Sequence, residues 1–225
     1  MPDAHPLRLV IFDCDGVLID SEPVVNELVA AELTRLGWPT TADECYQRFL
    51  GLNLDDMVPL IEAGLRRPLP PNWPETMAAR IVARLQRDVP MVAGAREALA
   101  AVTALGLPWR VASNSSHPEM AAKFGCNGLL PLVTGRLHSF TDVPRGKPAP
   151  DLFLAAAAAE RVPPAACLVI EDSVPGVRGA IAAGMRCLGY APHGDGAALA
   201  AAGAVPFHSL SALPEILRSL TAVRS

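Results

Sequence analysis

Three apolar runs in this chain each lead straight into oxygen-bearing side chains. Leu9–Phe12 is followed by Asp13-Cys14-Asp15-Gly16, Arg110–Ala112 by Ser113-Asn114-Ser115-Ser116, and Leu168–Ile170 by Glu171-Asp172-Ser173. Residues two apart on an extended segment point to the same side, so Asp13 and Asp15 share a face. A lone acid at a strand end is usually a turn former or a helix cap. Four acids and a Ser-rich loop at three such ends are better explained by one shared site. Carboxylates crowded in this way repel one another unless a cation sits among them, and an oxygen-only, carboxylate-rich donor set suits Mg²⁺. A lysine beside that ion would complete a place for a phosphoryl group. Only two of the nineteen basic residues are lysine, Lys123 and Lys147. Lys147, held between Gly146 and Pro148 in RGKPAPD, is the candidate.

For these ends to meet, the runs must be strands of one parallel sheet, whose ligands bind outside the carboxyl ends. Leu7–Phe12, Pro108–Ala112, Leu129–Val133, Cys167–Ile170, Arg186–Leu188 and Ala204–Phe207 have strand length and turn residues at their bounds. Between them Ala95–Leu105, Pro118–Phe124, Asp151–Glu160, Val174–Ala183, Asp195–Ala202 and Leu210–Leu220 read as helices, and several stop at a glycine. Alternation of this kind predicts an α/β fold with a Rossmann-like parallel sheet core. One segment breaks the rhythm. Between Asp20 and Val89 only helical pieces occur, namely Val24–Leu36, Thr41–Leu50, Asp55–Gly64 and Pro74–Gln86. They predict an inserted all-helical cap domain over residues 19–90, with a discontinuous core over 1–18 and 91–225.

Composition narrows the classes. The 225 residues are 51% hydrophobic and 19% charged, with a formal net charge of −4, so the chain is globular and carries no basic footprint for nucleic acid. The longest apolar stretch within a helix, Leu152 to Ala159, is far short of a membrane span. The N-terminal residues lack a basic segment followed by a long apolar one, so no secretory signal is expected. The five cysteines form no CxxC pair and the five histidines no HExxH spacing, which predicts reduced thiols, no zinc site and a cytoplasmic location.

The same residues carry a family resemblance. DCDGVLIDSE (residues 13–22), Ser113 after its apolar run, Lys147 in GKPAPD and EDSVPGV (residues 171–177) resemble, in order, the four motifs of the haloacid dehalogenase superfamily. The helical insertion stands where that family places its cap. The resemblance implies that Asp13 is a nucleophile that takes up a phosphoryl group, and that Asp15 protonates the leaving alcohol and then deprotonates water. It implies that Ser113 and nearby main-chain N–H groups hold phosphate oxygens, with Asn114 and Ser115 beside them. It also implies Mg²⁺ held by Asp13, the Asp15 carbonyl and Asp172, with Glu171 a ligand directly or through water. Asn26, Arg48 and Asn53 are cap candidates for substrate contact.

Departures from the family's patterns sort its members. Asp15 is present, where the dehalogenases lack a second acid, and the cap has no lysine for Schiff-base chemistry. β-Phosphoglucomutases carry a cap histidine where this chain has Val25, and an arginine where it has Leu54. The expectation is therefore an Mg²⁺-dependent phosphatase for a small phosphorylated metabolite, a sugar phosphate or a phosphogluconate-like acid. The alternatives are a phosphosugar mutase and a non-catalytic binder of a phosphorylated ligand, with no nucleic-acid or membrane partner. The oligomeric state stays open, with a monomer favoured. Cys14 should point away from the site into the sheet, Gly194-Asp195-Gly196 should be a loop and helix start, and the Arg66-Arg67 pair should be solvated surface.

Overall fold

The structure is a computed structural model that describes residues 6–221. The first five residues, part of the N-terminal stretch read above, and the last four lie outside the described residues. Six parallel strands form the sheet: β1 (Leu9–Phe12), β2 (Trp109–Ser113), β3 (Leu137–Ser139), β4 (Cys167–Glu171), β5 (Arg186–Tyr190) and β6 (Val205–Phe207). Their spatial order is β3-β2-β1-β4-β5-β6, which places β1 near the centre between β2 and β4.

The sequence of β1, LVIF, shows why it is central. Val10 and Phe12 enter one hydrophobic cluster, and Leu9 and Ile11 enter the other. A strand covered on both faces needs an uninterrupted apolar run, because each face buries alternate residues. Full burial of a side chain such as Phe12 contributes about 2–3 kcal/mol, and its ring meets Trp109 edge-on at 6.4 Å. On one face lie α5 (Ala95–Ala104), α6 (His117–Cys126) and α11 (Leu213–Thr221); on the other lie α8 (Asp151–Ala159), α9 (Val174–Ala182) and α10 (Ala197–Ala202).

One expected strand is a helix. Leu129–Val133 is not extended; Leu130–Val133 forms the short α7, and the edge strand β3 lies further on. Pro131 explains the change. It has no N–H to give to a ladder, and its fixed φ suits a helix's first turn. β3 has three residues, too few to show a pattern against the turns around it.

The insertion after β1 contains α1 (Glu22–Arg35), α2 (Ala42–Phe49), α3 (Leu54–Leu65) and α4 (Trp73–Leu85). The chain leaves and re-enters the core along two adjacent segments: the Asp20 N–H donates to the Pro90 carbonyl and the Val92 N–H to the Leu18 carbonyl. Inside the cap, Glu32 of α1 is buried and accepts hydrogen bonds from Arg35 (2.7 and 2.9 Å) and from Arg80 of α4 (2.7 Å). The Arg35 hydrogen bonds, with Arg80 beside them, outweigh burial and hold the Glu32 carboxyl at about 2. α4 lies against α6, so the cap rests on a helix that begins at the carboxyl edge of the sheet.

Candidate active site

The carboxyl ends of β1, β2 and β4 do come together. Asp13 follows β1 and is buried, and its N–H donates to the Ile170 carbonyl of β4. Lys147 reaches it from the loop before α8, with Nζ 2.5 Å from Asp13 Oδ1 and 2.5 Å from Glu171 Oε1. The second Glu171 oxygen accepts from the Asp172 N–H (3.1 Å), the Ser173 N–H (3.0 Å) and the Ser173 hydroxyl (2.9 Å). Glu171 is thus held on both oxygens, and it orients Lys147. Ser173 also caps α9 by accepting from the Gly176 N–H.

Two glycines make room for this arrangement. A Cβ on Gly16 would lie 1.9 Å from Asp172 Oδ2, and Gly16 has φ +73°, a conformation that side chains disfavour. A Cβ on Gly176 would fall 1.9 Å from the Glu171 carboxyl carbon. Both positions let a carboxylate lie directly against main chain.

Asp15 has a separate set of partners. Its carboxylate accepts from the hydroxyls of Ser21, Ser113 (3.2 Å) and Ser115 (2.8 Å), and from Lys123 Nζ at 2.5 Å. Lys123 also donates to the Ser115 hydroxyl at 2.7 Å. The Lys123 side chain is only 3% exposed, and it is a buried lysine paired with a half-buried carboxylate. Lys123 has no role assigned from its sequence position alone. A signal was there: on α6 it stands three residues after Met120 and next to Phe124, both buried. A lysine on the buried face of a helix needs an anionic partner.

The charges respond to these partners. Burial pushes the Asp13 carboxyl up to about 8, with Lys147 opposing it and Glu171 and Asp15 adding to it. Burial, then Glu171, Asp13 and Glu22, push Asp172 well above the carboxylate range. Burial also acts on Asp15, but Lys123 and the hydroxyl donors outweigh it and hold Asp15 below its ordinary value. Asp15 is therefore an anion here, while Asp13 and Asp172 crowd each other. Asp13, Glu171 and Asp172 each offer an oxygen, all within 4.8 Å of one another. A divalent cation fits that donor set and would relieve its repulsion. The Asp15 carboxylate is turned away from this cluster, towards Lys123.

Above the floor lies a cavity of about 310 Å³, closed on the far side by the cap. Asn26 and Asn53 line it, as do Val25 and Leu54. Asn53 also caps α3, accepting from the Asp56 N–H at 2.9 Å and donating to the Asp56 carboxylate at 2.7 Å. Asn114 lines the cavity too, but its amide is committed to main chain. It donates to the carbonyls of Gly51 (3.0 Å) and Lys147 (3.1 Å) and accepts from the Lys147 N–H (2.9 Å). It therefore joins the lysine loop to the cap loop. Arg48 does not reach the cavity: it is exposed, stacks over the Trp38 ring at 5.1 Å and faces Glu44 at 3.9 Å. Sequence spacing could not show which face of α2 looks outward.

Three further residues singled out in the sequence lie outside the site's chemistry. Cys14 is buried in the hydrophobic cluster, and burial raises its thiol well above the ordinary value. Asp195 accepts from the Ala197 N–H at the start of α10. Arg67 is exposed and donates to the Leu36 carbonyl. Among the described residues no helix is long and apolar enough to cross a membrane.

Comparison with known proteins bears on this geometry. Residues 7–184 match the family described as haloacid dehalogenase-like hydrolase. The chain is 29% identical over 214 residues to 6-phosphogluconate phosphatase of Escherichia coli, covering 95% of this chain and 96% of that one. It is 33% identical over 194 residues to hexitol phosphatase B of Escherichia coli, covering 84% and 85%. Among solved structures it is similar to a HAD family hydrolase from Deinococcus radiodurans with bound phosphate and sodium. That match is at 31% identity and TM-score 0.77, over 97% of each chain.

Proposed function

The chain belongs to the haloacid dehalogenase-like hydrolases, and we propose that within that family it is an Mg²⁺-dependent phosphatase acting through a phosphorylated Asp13. The observation that carries this reading is the pair of acids on one edge, each with its own buried lysine: Asp13 with Lys147 and Asp15 with Lys123. Asp13 and Asp172 would hold the metal together with the Asp15 carbonyl, and Glu171 would support them while bonded to Lys147. When bound, Mg²⁺ neutralises charge on the phosphoryl oxygens.

The chain's own groups do the rest. An Asp13 oxygen forms the new bond to phosphorus as the bond to the leaving alcohol breaks. Lys147 offsets the charge that otherwise sets a carboxylate against a phosphate dianion. Ser113 and the main-chain N–H groups after it receive phosphoryl oxygens. Asp15 gives the alcohol its proton, then takes one from the water whose attack frees phosphate and restores the Asp13 carboxylate. Asp15 starts as an anion, and the negative charge of an arriving phosphate ester favours its uptake of the proton it must donate.

The cap wall argues against the mutase. Val25 and Leu54, which stand where mutases carry histidine and arginine, both face the cavity as apolar groups. Among the described residues that side offers no cation for a second phosphate, so the phosphorylated Asp13 is left to water. The acid two residues from the nucleophile argues against a binding-only protein, which needs no proton relay. Phosphate release from a panel of phosphorylated metabolites, with Mg²⁺ and with a chelator, tests the reading. Metal-dependent release from a small sugar or polyol phosphate is expected. No release from any ester would overturn it, and isomerisation of β-glucose 1-phosphate would give the mutase its place.

A further inference from the structure

Cap and core touch at the rim of the cavity. The Gly51 carbonyl accepts from Asn114, and Gly51 packs close to Pro175 and Ser173 at the rim of the core. Whatever the phosphoryl group is attached to must therefore sit against the side chains that now line the cavity. The charges there are one-sided. Glu22, Asp55, Glu75 and Glu119 line it in addition to the acids of the floor. Among the described residues the only basic ones lining it are Lys123 and Lys147, and each is already paired with a floor carboxylate. No arginine among the described residues lines it.

The position of these four acids makes the pattern more than a surplus of carboxylates. Each stands in the first turn of its helix: Glu22 in α1, Asp55 in α3, Glu75 in α4 and Glu119 in α6. A free helix start, with its unpaired N–H groups and positive dipole end, is what a protein commonly offers to an anion. Here four of the helix starts that border the cavity carry their own negative charge, while α9, capped by Ser173, has no acid in its first turn. An acid in a first turn stabilises its helix wherever it occurs, and that alone explains any one of them. It does not explain why, among the described residues, every cation beside them is already paired with a floor carboxylate. The other lining groups, such as Asn26, Tyr46, Val25 and Ile81, are neutral and suit hydroxyls and carbon skeleton.

We infer that the substrate is a phosphate ester of a neutral or cationic polyol, and that a carboxylate or second phosphate on the leaving alcohol is rejected. The inference rests on the phosphatase reading and narrows it. It separates the chain from the chemistry in the name of one relative, 6-phosphogluconate phosphatase, and leaves it nearer that of the other, hexitol phosphatase. Like charges brought together in a partly enclosed site discriminate strongly.

The test is a matched pair, a hexitol 6-phosphate and 6-phosphogluconate, which differ at the remote carbon only in bearing an alcohol or a carboxylate. Each is assayed for kcat/KM with the intact chain and Mg²⁺, next to p-nitrophenyl phosphate as a reference ester with no carboxylate or second phosphate on its leaving group. The hexitol ester should be favoured by about 10- to 100-fold, and added salt should narrow the gap. The double variant Asp55→Asn, Glu75→Gln should narrow it several-fold by improving the acid rather than by slowing the hexitol ester. Equal or faster hydrolysis of 6-phosphogluconate by the wild type overturns the inference and leaves the phosphatase standing. Failure to hydrolyse any of the three overturns the phosphatase reading, and the inference with it.

Discussion

The two walls of the cavity are built differently. On the core wall, Asp13, Asp15, Ser113, Lys123, Lys147 and Glu171 are joined by direct hydrogen bonds, and most of them are buried. On the cap wall, Glu22, Asn26 and Asn53 are half-buried, Tyr46 and Glu75 are exposed, and apolar side chains fill the space between. A constellation that must hold charges in fixed places requires partners for every member, because an unpaired buried charge costs several kcal/mol. A surface that only has to fit a leaving alcohol can stay loosely held. On the proposed reading, chemistry belongs to the first wall and choice of substrate to the second.

Substitutions can break or sharpen that contrast. The largest effect is expected from Asp13→Asn, which should lower kcat by about 10⁴-fold or more and leave the thermal midpoint unchanged or higher, since it removes a crowded buried charge. Near-wild-type turnover in that variant would remove Asp13 as nucleophile. Lys147→Met should cost about 10³-fold in kcat, because it strips charge compensation from the reacting end. Lys123→Met should cost about 10²-fold, with Lys123→Arg recovering part of the loss. If Lys123→Met altered only stability and not kcat, the second lysine would belong to the scaffold and not to the reaction.

On the cap side the effects should be of another kind. Glu32→Gln should lower stability by about 1–3 kcal/mol in urea melts and leave kcat within about twofold, since Glu32 joins α1 to α4 away from the cavity. The pH dependence has a definite sign. The carboxyl sits at about 2 in the folded chain, below its ordinary 4.5. Its contribution is therefore complete above about pH 4.5 and is lost as pH falls towards 2. Melts at neutral and acid pH, on wild type and variant, should converge at the acid end. The smallest effect belongs to Arg48→Ala, which should change kcat/KM by less than about twofold and stability by about 0.5 kcal/mol, the scale of an exposed cation–π contact.

The core wall could be read from the chain because it hangs on strand ends. DCDG, SNSS and EDS each follow an apolar run, and a parallel sheet brings such ends together whatever the intervening sequence does. The lysine of GKPAPD was conspicuous for being rare. Lys123 escaped because it sits mid-helix, where only its place beside Met120 and Phe124 marks it as buried. The cap candidates Arg48, Asn26 and Asn53 show the other limit. Their spacing places them on helices or at helix starts, but the faces turned to the cavity depend on how α1, α2 and α3 pack together. Asn114 shows a third: its type suits phosphate binding, yet its amide is spent on Gly51 and Lys147. The failure at Leu129–Val133 was local, a short apolar run in which Pro131 outweighed hydrophobicity.

The account stands most directly on the covalent step at Asp13. Acid quench during turnover of a substrate from the metabolite panel, followed by peptide mapping, should show a phosphoryl mass increment on the peptide that carries Asp13. It should be absent without Mg²⁺ and in Asp13→Asn. Sustained turnover with that peptide unmodified at every quench time, and with Asp13→Asn still active, would contradict it.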